Sequence, residues 1–285
     1  MAKRLKTRQD VAAETARKIA QGRCQGVGQR YVPWTLAREF ASRGQVARIL
    51  GRKTNRLHHL FSLLEQHIFF YFEWLDAVTE IREQFALPLA ETLAIAARHG
   101  IPHPRVCGEP VPLTTDFLVT VRRRDGSSIL LARAVKYLKD LDPATKGSAR
   151  TRQKLELERL YWASRGIDWG LITEVDVPKV VVENVRWVRP YQYLPAWTKL
   201  SADQLRDVAL TLTERALATT DSLIACAERC DTALGLAEGD ALAIARYLIG
   251  TGQWTVDMRA PIRPRERLAL LSARLDPTLL AREAA

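Results

Sequence analysis

Thr114-Thr115-Asp116-Phe117-Leu118-Val119-Thr120-Val121, then Arg122-Arg123-Arg124-Asp125-Gly126, then Ser128-Ile129-Leu130-Leu131-Ala132-Arg133-Ala134-Val135-Lys136 is the stretch that decides the fold. Runs rich in β-branched and aliphatic side chains flank an Asp-Gly pair. That pair is a strong short-range hairpin signal, because glycine accepts the positive φ a tight turn demands. Asp116 and Lys136 each stand about ten residues from the turn, so antiparallel pairing brings both to one edge of a sheet. A carboxylate and an ammonium there suit metal-assisted phosphodiester hydrolysis, in which carboxylates hold Mg²⁺ and a lysine positions the attacking water or helps deprotonate it. Asp and Lys at a strand edge are also commonplace surface residues.

The reading extends in both directions. Upstream, Ser62 to Glu73 carries apolar residues at helical spacing, with Ser62 as N-cap and Glu65 three residues on in a capping-box arrangement. Residues 78–85 alternate as a strand, and 88–103 form a helix closed by Gly100, Pro102 and Pro104. Downstream, a helix over 151–165 ends at Gly166, and a short buried strand covers 169–173. The pattern is α/β, a mixed sheet flanked by helices. Near 173 the character changes: helical patterns run through 178–188, 201–218, 221–236, 238–249 and 264–274, with a short strand at 253–258. Two domains are therefore expected, 1–173 and 174–285, the second small, mainly helical and compatible with a winged-helix arrangement. At the other end, 8–22 reads as a basic helix and the glycine-punctuated 23–34 as a loop or arm.

Composition narrows the function classes. The 285 residues are 47% hydrophobic, enough for packed cores, and no apolar run is long enough to span a membrane. The start lacks the apolar segment of a signal peptide, so a soluble intracellular protein is expected. Net charge is +11, and residues 1–60 hold 14 Lys and Arg against three acids, while the other 225 residues hold 29 of each sign. A basic block of this kind points to a polyanion, nucleic acid above all, or else to a solvated basic surface.

Other candidates carry weaker signals. The four cysteines fit no zinc pattern and read as free thiols, Cys226 and Cys230 on one helix face. His58 and His59, just before the first core helix, either contact DNA phosphate, support Glu65 or face solvent. Arg150, Arg152 and Lys154 near a helix N-terminus either grip phosphate or form a solvated face. Arg122-Arg123-Arg124 reads as an exposed turn, and Phe69-Phe70-Tyr71-Phe72 as core. Gly26 and Gly28 lack the Lys-Ser/Thr of a nucleotide-binding loop, so the chain is not expected to bind ATP.

Several separate pieces share a family likeness. Leu57-His58-His59-Leu60-Phe61-Ser62-Leu63-Leu64-Glu65, then Thr114-Thr115-Asp116-Phe117-Leu118-Val119, then Ala134-Val135-Lys136 resembles the PD-(D/E)XK nuclease core. More narrowly, the chain resembles TnsA-like endonuclease subunits of heteromeric cut-and-paste transposases. Gly22-Arg23-Cys24-Gln25-Gly26, Tyr31-Val32-Pro33-Trp34, Ile81-Arg82-Glu83-Gln84-Phe85, Lys154 to Arg159 with Tyr161-Trp162, and Trp169 to Glu174 continue the likeness. It spans roughly 15–188, and the order and spacing of the pieces make it specific. The resemblance implies a restriction-endonuclease-like fold that cuts DNA with Mg²⁺, for which Mn²⁺ substitutes. It implies cleavage of the 5′ strands at transposon ends while a DDE-type partner transposase cuts and joins the 3′ ends. It further implies a C-terminal domain that contacts an AAA+ regulator and DNA, and a bacterial cytoplasmic protein that meets the nucleoid during transposition. By motif position Glu65 is the helix acid, Asp116 the central metal ligand and Lys136 the catalytic lysine.

One position departs from the pattern. An acid, or Gln in some relatives, is expected two residues before the lysine, and Ala134 has no ligand atom. Three accounts are open: the metal is held by Glu65, Asp116 and the Val135 backbone carbonyl; or a carboxylate, Glu156 or Glu158, reaches in from the next helix; or the site is weak or dead. Beside the transposase subunit stand a free-standing nuclease of the same fold and a catalytically inert scaffold that bridges DNA and protein partners.

Overall fold

The computed structural model describes residues 6–39, 46–193 and 198–275. The chain divides into two compact units between Val177 and Pro178, four residues beyond the boundary read from the sequence.

In the first unit, α1 (Arg8–Ala20) starts at a capping box in which Thr7 and Asp10 satisfy each other's amides. A hairpin of β1 (Ala47–Gly51) and β2 (Arg56–Leu60) follows, in a stretch to which the sequence reading assigned no element. α2 (Leu63–Trp74) is capped by Ser62, whose Oγ accepts the Glu65 amide, but the Glu65 carboxylate reaches the Phe61 amide rather than closing a capping box on Ser62's own N–H. β3 (Val78–Ala86) leads to α3 (Leu89–His99), which stops at Gly100 with φ +65. A small ribbon, β4 (Arg105–Val106) and β5 (Glu109–Pro110), precedes the long hairpin β6 (Thr114–Arg122) and β7 (Ser128–Val135). Gly126 sits at φ +85 in the tip of that hairpin, the conformation the Asp-Gly pair implies. Then come α4 (Ser148–Ala163) and β8 (Asp168–Ile172).

The strands form one sheet in the order β3-β6-β7-β8, antiparallel up to β7 and parallel between β7 and β8. A parallel neighbour needs a crossover, and α4 supplies it. It lies against one face, where Leu118 and Ala132 of the sheet pack on Leu157, Tyr161 and Trp162 of α4 and Ala96 of α3. The aromatic run of α2 is core, as its spacing implies: Phe69 is fully buried, and the Phe72 ring meets Phe117 of β6 edge-on at 5.7 Å. Each such buried side chain is worth about 1.5–3 kcal/mol.

Part of the N-terminal basic block is structural. Arg23 donates to Glu39 from both Nη atoms at 2.6 and 2.5 Å, and the buried Lys18 pairs with Glu14 and lies over the Trp34 ring. Arg56 donates to both carboxylate oxygens of Glu83 at 2.8 and 2.6 Å. These cations are neutralised by their own chain, which narrows the surface left for a polyanion.

The second unit opens with α5 (Lys179–Val188), followed by α6 (Ala202–Ala218), α7 (Leu223–Leu234) and α8 (Asp240–Gly250). The strand expected near 253–258 is β9 (Trp254–Val256). The helix expected over 264–274 is not there: its end is β10 (Leu270–Ala273), paired antiparallel with β9. Local helical spacing yields to the ladder that β9 offers, a tertiary override of propensity. Helices α6 to α8 are followed by this two-stranded ribbon. Trp254, at 1% exposure, ties ribbon to helix through Nε1–H donated to Thr213 Oγ1 at 2.9 Å. Cys226 and Cys230 are buried free thiols on α7. A fragment of residues 178–285 is expected to fold alone, giving a helical circular-dichroism spectrum and one cooperative thermal transition. A featureless, non-cooperative melt would show that this core is incomplete. Among the described residues no helix is long and apolar enough to cross a membrane.

Candidate active site

The β6–β7 register pairs Phe117 with Arg133, which sets Asp116 beside Ala134 and Val135. Asp116 Oδ2 accepts the Val135 amide at 2.7 Å and the Lys136 ammonium at 2.8 Å. Lys136 Nζ also donates to the Val135 carbonyl at 2.7 Å, and the Lys136 amide donates to Ile172 O of β8 at 3.1 Å. The lysine is therefore held at both ends, its backbone by the parallel strand and its head group between a carboxylate and a carbonyl oxygen. Both bonds to Asp116 fall on Oδ2, so Oδ1 remains open.

Glu65 approaches from α2. Its oxygens accept from Ser62 Oγ and from the Phe61 amide, each at 3.0 Å, and only 8% of the residue is exposed. Burial, reinforced by the Asp116 carboxylate, pushes its pKa up to about 7. Lys136 moves the other way from a buried amine: burial alone would lower it, but Asp116, in contact and hydrogen-bonded, outweighs that and raises it. The head group is accordingly an ammonium throughout the physiological range.

A cavity of about 440 Å³ opens beside this pair, lined among others by Asp116, Lys136, Lys154 and Glu158. Of the two helix acids weighed from the sequence, Glu158 is the one that faces inward. It is 5% exposed and accepts Trp169 Nε1–H at 3.0 Å, whereas Glu156 points outward and pairs with Arg159. Burial, then Asp116, lifts Glu158 to about 8, so in the free protein it carries a proton at neutral pH. Ala134 is fully buried.

This donor set suits a hard divalent cation. All the ligand atoms are oxygens, Asp116 has an open lobe, and the lysine cation already bridges Asp116 and the Val135 carbonyl. Among the described residues no group of three Asp, Glu, His or Cys side chains is placed to hold a metal ion.

The raised acids have a stability signature. A carboxyl whose pKa is higher folded than unfolded contributes fully below about 4.5 and loses that contribution as pH rises through its folded value, here about 8. Glu158→Gln keeps an acceptor for Trp169 and removes the titration. The variant is expected to match the parent chain at pH 4 and to gain on it, by up to a few kcal/mol, by pH 9. Urea titrations at the two pH values read this, and an equal difference at both would contradict it.

The remaining candidates separate. His58, for which the sequence left DNA contact, support of Glu65 and solvent open, is instead fully buried: it lies between Thr54 Oγ1 and Glu83 Oε2, each at 2.8 Å, and cannot touch a phosphate. Arg150 donates to Pro102 O and Gln153, and Arg152 to Leu141 O, so both brace loops around α4. Lys154 lines the cavity. The Arg56–Glu83–His58 cluster was missed as a unit, although Arg-x-His on one strand and a lone Glu between Arg82 and Gln84 on another were its only sequence signals.

Comparison with known proteins adds three findings. Residues 75–174 match the model of the TnsA-like endonuclease N-terminal family, and residues 176–258 that of the TnsA endonuclease C-terminal family. Over 239 residues the chain is 37% identical to Transposon Tn7 transposition protein TnsA of Escherichia coli, covering 84% of either chain.

Proposed function

This chain belongs to the TnsA endonuclease family, and from that premise we propose that it is the DNA-cleaving subunit of a cut-and-paste transposase, working with a divalent cation at Asp116. The observation that carries this reading is the Lys136 head group held 2.8 Å from Asp116 Oδ2 and 2.7 Å from the Val135 carbonyl, at the rim of an open cavity.

Asp116, Glu65 and the Val135 carbonyl would hold Mg²⁺, or Mn²⁺ in its place. When bound, the cation supplies charge stabilisation at the phosphate and a more acidic water. Asp116 fixes the ammonium of Lys136 where charge builds on the reacting phosphate, and the ammonium neutralises that charge. Glu65, raised by burial and by Asp116 in the free chain, would serve as a ligand in its ionised form. Glu158 is a neutral neighbour in the free protein and a hydrogen-bond acceptor for Trp169. Ala134 removes one ligand from the usual set, which leaves the cation to the carbonyl and water.

The strands cut are the 5′ strands at the transposon ends, with a DDE partner transposase cutting and joining the 3′ ends. The second unit is the surface for an AAA+ regulator and for DNA. In the test of this reading, the chain and its partner transposase are incubated with end-bearing DNA, with Mg²⁺ or with excess chelator. Cleavage of the 5′ strand in Mg²⁺ and none of that strand in chelator is expected. Cleavage that persists in chelator would refute a cation at Asp116, and none in either, with DNA still bound, would favour the inert scaffold that Ala134 suggests.

A further inference from the structure

We infer that the cavity contains a second anion site, built by the start of α4 with Lys146, Ser148 and Lys154, which holds a non-scissile phosphate of the strand being cut. The inference rests on the DNA-cleaving reading only for its ligand. The site itself follows from the helix and its surroundings.

α4 begins at Gly147, which adopts φ +89, and no side chain caps it. Its first turn contains no acid. An ideal Cβ at Gly147 would meet nothing within 4 Å, so the backbone there is open to close approach. The helix is 16 residues long and its positive end faces the cavity.

A second observation points to a ligand. Ser148 is 3% exposed, lines the cavity, and its hydroxyl has no hydrogen-bond partner among the described residues. The Oγ itself is not sealed from solvent, so it is able to donate to an acceptor that enters the cavity. Nothing in the surrounding charge satisfies that role. Lys146 and Lys154 line the same cavity and pair with no carboxylate among the described residues. Both lysines are exposed and able to reach an anion that enters, and partial burial, then Arg150 and Lys136, lower the pKa of the Lys154 ammonium.

The acids of the cavity do not supply a counterion. Asp116 is bound to Lys136 and the Val135 amide, Glu158 accepts from Trp169, and Asp140, the one acid left in the lining, pairs with neither lysine among the described residues. An anion that enters from outside would meet several N–H and O–H donors at once, which suits a phosphodiester.

Spacing assigns it to a flanking position. Ser148, Thr151, Lys154 and Glu158 recur every three or four residues, one face of α4. From Ser148 to Glu158 that face runs about 15 Å along the helix axis, and Glu158 lies at the Asp116 end. A strand whose cut phosphate sits at Asp116 and Lys136 would bring a neighbouring phosphate, one or two nucleotides away, under Lys154 and the helix start.

The test uses the full chain carrying Asp116→Ala, together with its partner transposase and a fluorescent end duplex, in excess chelator so that neither protein cuts. Against that background Lys146→Gln with Ser148→Ala, and separately Lys154→Gln, are each expected to weaken duplex binding about tenfold. Each should also reduce the slope of log affinity against log salt by about 0.9 for every phosphate that is no longer neutralised. A single neutral methylphosphonate one or two nucleotides from the cut should weaken the background chain by a similar factor and weaken the substituted chains no further. Unchanged affinity and slope in chains that melt normally would overturn the site, as would a methylphosphonate effect that adds in full to the substitutions at both positions. Because cutting is absent by design, failure of the nuclease reading leaves this result interpretable.

Discussion

Asp116→Ala is expected to reduce strand cleavage by roughly a thousandfold or more, the scale set by removing a group that organises charge at the reacting centre. Three features converge on this carboxylate. It orients the Lys136 ammonium, it accepts the Val135 amide that sets the carbonyl beside it, and its free Oδ1 is open to a cation. Alanine removes all three at once. The folding cost is smaller: an unpaired Val135 amide amounts to about 1–3 kcal/mol, and the partly exposed lysine head can reach water. Lys136→Ala should reduce cleavage comparably, yet it frees Oδ2 of a competing cation, so Mg²⁺ or Mn²⁺ should bind at least as tightly as in the parent. Calorimetric titration of metal thus separates the roles: weakened binding in Asp116→Ala and undiminished binding in Lys136→Ala. Undiminished cleavage in either variant would remove that residue from the site.

The second large effect concerns stability. Glu83 is fully buried and accepts from Arg56 Nη1 and Nη2, from His58 Nδ1, and from the His59 amide at 3.0 Å. Burial alone would raise its pKa, but the bonds from Arg56 and His58 outweigh it and hold the group at about 2. The cluster ties the β1–β2 hairpin to β3, and Tyr31 adds its hydroxyl to the Glu83 carbonyl while its ring faces Arg56. Glu83→Ala leaves the Arg56 cation buried without a counter-charge, which costs about 3–5 kcal/mol. The pH dependence has a definite sign. A depressed carboxyl contributes stability that is complete above about 4.5 and disappears as pH falls toward its folded value of about 2. Glu83→Ala should therefore shift the urea midpoint at pH 7 strongly and at pH 2 little. A loss below about 1 kcal/mol at pH 7 would mean that Arg56 escapes to water.

Legibility in the sequence followed the range of the interactions. Asp116 and Lys136 could be brought together on paper because a glycine turn lay midway and strands count in steps of two. Glu65 was visible through Ser62, a local capping signal. The Glu83 cluster joins residues more than twenty apart across separate strands, and no periodicity announces such a pairing. The β1–β2 hairpin was hidden for another reason: it turns through Lys53, Thr54 and Asn55, and the left-handed Asn55 at φ +47 is a weaker marker than Asp-Gly. Gly51 adopts an ordinary conformation there, yet a Cβ on it would stand 2.5 Å from His58 Nε2, so the missing side chain makes room for the histidine. The 264–274 segment misled because its leucines and alanines favour a helix locally, while β9 needs a partner strand. Glu158 could be only one of two candidates from the sequence. Two acids two residues apart point to roughly opposite sides of a helix, and which of them faces inward depends on helix rotation; here it is Glu158, which meets Trp169.

The most direct measurement is a strand-labelled transposon-end duplex incubated in Mg²⁺ with this chain, with and without its cognate DDE transposase. Cleavage of the 5′ strand only when both proteins are present, and abolished when the chain carries Asp116→Ala, is the expected result. Cleavage by the chain alone would contradict it in favour of a free-standing nuclease. Cleavage of that strand by the mixture with Asp116→Ala undiminished would contradict the site itself.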